Sequence, residues 1–218
     1  MPNDMMFGLL QDVQPLTPDK KVYGVAIGTV VNNVDSTGQA RVQLMLPWLP
    51  GYQPWARLAT LMAGMARGTY FVPMVGDEVL VAFNHGDVRE PFVVGALWNT
   101  LDRPPSLSPT DAVTRRLVRS PLGHELEFDD ALQTVTLKSN LLSKVTLAAD
   151  KAEISTPTAS VTVGKLGDVT ITAKTKLTLD APVIEIKAKA SLTVQSQGVA
   201  TLKASGACVV QGSVVKIN

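Results

Sequence analysis

The sequence predicts an all-β protein in two parts, a small N-terminal barrel followed by a C-terminal needle of stacked short rungs. Three observations lead there. An apolar-polar-apolar triplet returns every seven or eight residues through the last third of the chain, from about Val135 to Asn218. All eleven aromatic residues lie at or before Phe128, so the repeat is lined by aliphatic side chains and one cysteine. Between Val22 and Asn99, by contrast, strand-forming runs are longer and are closed by Gly, Pro and Asp turns.

Residues 1–20 mix Met5, Met6, Phe7, Leu9 and Leu10 with the turn formers Pro15 and Pro18. Two readings fit equally: an amphipathic arm that docks on a partner through Met6, Phe7, Leu9 and Leu10, or a loosely held terminus. The barrel domain is expected over residues 21–100. Val22 to Val31 reads as its first strand, with Gly24 and Gly28 where a strand bends sharply to close a small barrel. Asp35-Ser36-Thr37-Gly38 is a turn. Ala40 to Leu46 is the second strand, with Arg41 and Gln43 facing away from Val42 and Leu44, and Pro47 and Pro50 stop it. Trp55 to Leu61 is the third, and Met62 to Gly68 reads as a helical turn. Asp77 to Phe83 and Pro91 to Leu97 are the fourth and fifth, joined through His85-Gly86-Asp87. Five short strands with one small helical element are the content of an OB-fold, a partly open Greek-key barrel.

From Thr100 to Arg119 the chain is rich in Ser and Pro (Pro104, Pro105, Pro109), a stiff, extended composition, and residues 101–124 read as a linker. The needle is expected over 125–218. Its triplets begin at Val161, Val169, Leu177, Ile184, Leu192, Ala200, Cys208 and Val215, and looser copies around Val135, Val145 and Ile154 bring the array to eleven units. Apolar residues two apart share one strand face and the middle residue, Thr in five of the eight, takes the other. Gly and Pro fall between triplets, where corners are needed. A rung with one apolar face cannot bury it alone, so the core comes from stacking. Either one chain coils as a solenoid, or three identical chains wind round one axis. The absence of rings suits a narrow three-sided prism, and both remain open on this evidence.

The run GVAIGTVVNNVDSTGQARVQLMLPWLP, then Trp55-Ala56-Arg57, then PMVGDEVLVAFNHGDVREPFVVGALWN, resembles the OB domain of the phage baseplate assembly protein V family. It is similar also to the matching part of VgrG, the spike of type VI secretion systems. Leu122 to Asp130 is similar to the G-H-x-x-x-F-D-D segment that precedes the β-helix in that family. With the repeat, the resemblance covers roughly residues 20–218. It implies a homotrimer whose three C-termini intertwine as a triple-stranded β-helix, with OB domains beneath a separate hub protein. It also implies a place at the baseplate centre of a virion or injection particle, reached after assembly in the bacterial cytoplasm without a signal peptide. The family's tip metal would need a His-x-His near the C-terminus, which is absent, and the segment before the repeat is too short for an inserted lysozyme domain. A PAAR-type tip protein is therefore the expected cap, bound through Val215, Ile217 and Asn218.

Charge and motif content narrow the function classes. Residues 1–130 carry 10 basic and 14 acidic side chains, and residues 131–218 carry 10 lysines, no arginine and 5 acids. Lysine without arginine or aromatics is a poor reader of nucleic acid and reads as a solvating face that protects strand edges. Residues 20–100 hold six basic and five acidic side chains, so no basic groove for single strands is expected. The two histidines, His85 and His124, lack neighbours at metal-ligand spacing, and no cofactor, metal or catalytic residue is expected. Glu125 and Glu127 alternate with Leu126 and Phe128 and read as the wet face of a strand rather than as an acid-base pair. Cys208, the only cysteine, sits at a core position of its triplet. No segment approaches 18 apolar residues. A mechanical spike is the favoured reading. A glycan-binding surface protein and a nucleic-acid-binding OB protein stand as alternatives, though a glycan reader would be expected to expose aromatics on its shaft.

Overall fold

A computed structural model describes residues 21–105 and 108–217; the arm residues Met6, Phe7, Leu9 and Leu10, and Asn218, lie outside them. The barrel is built from β1 (Ala26–Asn32), β2 (Val42–Met45), β3 (Trp55–Leu58), β6 (Glu78–Asn84) and β7 (Asp87–Ala96), with a small hairpin of β4 (Ala63–Gly64) and β5 (Arg67–Gly68) inserted between β3 and β6. The barrel closes in the order β1-β2-β3-β7-β6, and β3 runs parallel to β7 while every other pair is antiparallel. Along β6 the side chains of Val79, Val81 and Phe83 alternate inward, where they meet Val30, Val42, Leu44, Leu46 and Val93. Trp48 closes one side, edge to face with Phe83 at 6.0 Å between ring centres.

Gly28 is needed where β1 crosses the core: a Cβ there would lie 3.2 Å from Leu46 Cδ2 and 3.3 Å from Val81 Cγ2. Gly24 is not, since it precedes β1 with open space around it. His85 and Gly86 form a two-residue hairpin turn, both with left-handed φ (46° and 77°), between the paired Asn84 and Asp87. The loop from β1 to β2 is wound on Asp35. Its carboxylate accepts from the backbone N–H groups of Thr37, Gln39 and Arg41 and pairs with the Arg41 guanidinium at 3.0 Å. Arg41 above all holds the Asp35 carboxyl far below the usual carboxylate range.

Two expectations are corrected here. Residues 62–68 form the β4-β5 hairpin and not a helical turn. Ala66 adopts φ 52° and Gly68 φ 151°, and a Cβ on Gly68 would sit 2.5 Å from the Met62 carbonyl oxygen. Glycines at 64 and 68 also weaken any local helix. The second correction concerns the linker: a one-turn helix, α1 (Asp111–Thr114), and a strand, β8 (Arg115–Arg119), occupy its second half. Arg115 to Arg119 pairs residue for residue with the next strand, and that hydrogen-bonded ladder outweighs the extended bias of the prolines before it.

From β8 the chain folds as an antiparallel meander with β9 (Glu125–Asp129), β10 (Thr134–Lys138), β11 (Lys144–Leu147), β12 (Lys151–Ser155), β13 (Ala159–Gly164) and β14 (Val169–Ala173). All five residues of β14, the edge of this sheet, are exposed. Residues 174–217 hold no helix and no paired strand, and they bend at 174–175, 182, 189–190, 197–198, 205–206 and 213–214. Each bend falls in a gap between successive triplets.

Candidate assembly surface

The meander sorts its side chains by face, because antiparallel partners directly opposite one another point the same way. The cross-strand row Val118, Leu126, Leu137, Val145, Ile154, Val161 and Ile171 is apolar from one end of the sheet to the other. A second row runs from Phe128 through Val135, Leu147, Ala152 and Val163 to Val169. Nothing among the described residues covers this face: Leu126, Leu137, Ile154 and Ile171 are exposed along with most of their neighbours. A face of this extent on a single chain marks an interaction surface.

The opposite face is polar and internally paired. Arg115 bridges Asp111 of α1 (2.9 Å) and Glu127 of β9, and Glu127 in particular holds the guanidinium firmly protonated. Arg119 pairs with Glu125, and Lys151 with Glu153 at 2.7 Å, which lowers the Glu153 carboxyl below its ordinary value. Glu125 therefore departs from expectation. It is only 5% exposed, while Leu126 and Phe128 beside it are exposed. The arginines cover the carboxylates, whereas the apolar side chains have no cover among the described residues.

Beyond β14 every described residue is exposed, including both apolar members of the triplets at Leu177, Ile184 and Leu192. Val215 and Ile217 are exposed, and so is Cys208, which no described residue encloses. His85 is an exposed turn residue and His124 sits in the turn into β9. Among the described residues no group of three His, Cys, Asp or Glu could hold a metal ion. The Asp111-Arg115-Glu127 network was not anticipated. The i,i+4 spacing of Asp111 and Arg115 is its one local signal, and it reads only once a helical turn is placed there.

The geometry meets the comparisons at the barrel. The family described as type VI secretion system/phage-baseplate injector OB domain matches residues 26–98, the span of β1 to β7. The spike protein VgrG2a of Pseudomonas aeruginosa is 28% identical over 142 residues, which is 58% of this chain but 16% of that protein. The actin cross-linking toxin VgrG1 of Vibrio cholerae is 30% identical over 127 residues, 52% of this chain and 12% of that one. The spike protein of Escherichia phage P2 is 28% identical over 161 residues, 72% of this chain and 65% of its own length. The chain thus spans a small fraction of the two VgrG relatives and about two thirds of the phage protein. Residues 26–98 thus match the injector OB domain, and over the longer spans given above the chain is similar to VgrG-like and phage baseplate spike proteins.

Proposed function

We propose that three copies of this chain form the central spike of a contractile tail or injection-system baseplate, a needle that pierces the target envelope and nucleates or plugs the hub. The observation that carries this is the run 174–217: bends in step with the triplets, exposed apolar residues throughout, and no strand partner among the described residues. Such a run needs neighbours for its backbone groups and its apolar side chains alike. Copies of itself supply both in register.

In this reading the spike has two zones below the barrels. Over β8 to β14 each chain keeps its own antiparallel sheet and turns its apolar face to a common axis, so that three sheets close a prism. Beyond Ala173 the chains interleave, each giving every third rung of a triple-stranded β-helix. Eleven units at about 4.8 Å make a shaft on the order of 50 Å. The role is mechanical, with no catalytic step and no cofactor. A separate hub protein sits above the barrels, with Met6, Phe7, Leu9 and Leu10 as the proposed contact. A PAAR-like tip protein takes Val215, Ile217 and Asn218 at the other end, and the target envelope is met only in passing.

The decisive experiment is the native mass of the full chain with and without mild SDS. A trimer that survives SDS supports the reading, since interwound chains part slowly. A monomer with full β content overturns it in favour of a solenoid. Capture of a PAAR-like protein by the intact chain and not by one ending at Gly212 supports the tip contact, and equal capture by both removes it.

A further inference from the structure

The β4-β5 hairpin presents an apolar surface that the shaft reading does not use. Residues 59–76 contain a single charged side chain, Arg67. Leu61 and Met65 are each 97% exposed, and Tyr70 and Phe71 stand out beside them. The arm is nevertheless firmly rooted. The Ala59 N–H donates to the Val93 carbonyl (2.8 Å), Thr69 N–H to Met62 (3.0 Å), and the Thr60 hydroxyl to the Thr69 carbonyl (2.9 Å). Arg67 lies back across Gly64 and makes no ion pair among the described residues.

At the same end of the barrel, where β3 and β7 finish and β6 begins, lies a cleft of about 230 Å³ lined by Asp77, Glu78, Ala96, Leu97, Trp98 and Asp102. Its chemistry is the complement of the arm: three carboxylates and an indole that is 67% exposed, against one guanidinium set among apolar side chains. Arginine against tryptophan with carboxylates around it joins cation–π attraction to charge pairing, and methionines adapt to an irregular wall.

We infer that the arm of one copy docks in the Trp98 cleft of the next, with Arg67 among the carboxylates. This rests on the three-copy reading above. The occupant is a second copy because the chain leaves the barrel from this very end, at Trp98 to Leu101, on its way to the repeat. Copies joined through their shafts hold these ends together at high effective concentration, so even a modest contact is filled. Arm and cleft are different surfaces, so the contact is heterologous and closes as a ring, which three copies around one axis provide.

The test uses full-length chains carrying Cys208→Ser. One bears Met65→Cys at the arm tip, the other Thr100→Cys beside the cleft, and the two are co-expressed and treated with a short bismaleimide. A covalent pair is expected in the mixture and from neither variant alone. Arg67→Glu should lower its yield at least tenfold, and Arg67→Glu with Glu78→Lys should restore it. A trimeric native mass without cross-linking overturns the docking and leaves the three-copy reading standing. Cross-linking indifferent to Arg67→Glu overturns it too, because mere proximity around the axis would then suffice. A monomeric native mass overturns both.

Discussion

The barrel and the run beyond β14 are made from the same kinds of residue, Val, Leu, Ile and Thr at alternating positions, and end in opposite states. In the barrel Val42, Leu44, Val79 and Val81 are fully enclosed within one chain. In the run not one described residue is covered. The difference lies in where the partner strand comes from. Barrel strands, seven and ten residues long at β6 and β7, find their partners within the chain, whereas the triplets beyond Ala173 pair with no strand among the described residues. The meander lies between these states, with its strand ladders formed inside the chain except along the β14 edge and its apolar face uncovered.

The contrast can be broken most severely at Ile171. Ile171→Asp sets a carboxylate on the uncovered apolar face, and in a trimer three would meet around one axis at a cost of several kcal/mol per chain. Loss of the trimer by native mass is expected, while the barrel keeps its near-ultraviolet signature. Thr170→Asp, one residue away on the polar face, should leave the mass unchanged; equal damage from both would show the two faces to be wrongly assigned. In the barrel, Leu44→Ala should cost about 2–5 kcal/mol as a cavity and lower the barrel's own melting transition without dissociating the trimer. Gly28→Val is expected to cost about 1–3 kcal/mol, because its side chain meets Leu46 and Val81, and denaturant unfolding followed by tryptophan fluorescence will read it.

The smallest effect is on acid sensitivity. Asp35 takes up a proton near pH 3.9 in the unfolded chain and only at much lower pH in the barrel, so between those values the unfolded state binds more protons and stability falls as pH falls. Asp35→Asn should lower barrel stability at pH 7 and flatten its decline below about pH 5. A pH profile parallel to that of the parent chain would remove Asp35 as the cause.

Much of this was legible in the sequence, for a physical reason. Alternation states which side chains share a face, and so the β6 strand, the inward set of β2 and every bend after Lys174 could be read directly. The partner of a face is not written in its period. The antiparallel pairing of Val145 with Leu137 and Ile154, and the burial of Glu125 under Arg119, depend on contacts that span turns and strands. The β4-β5 hairpin escaped because its strands are two residues each, shorter than any periodicity can register. Strand β8 was hidden by the prolines upstream of it, which say nothing of Arg115.

In the three-copy reading, strand β14 has a consequence for how copies would find one another. One side of its backbone is satisfied by β13, and the other presents open donors and acceptors on a five-residue template. A template of this kind accepts any β-strand of similar length, so selectivity must come from timing and from the array that follows. Chains threading together from this edge would advance like a zipper whose first tooth is fixed and whose later teeth are already spaced. A newly made chain that meets no siblings promptly would offer the same tooth to whatever strand passes, and the abundance of the chain during assembly becomes part of its specificity.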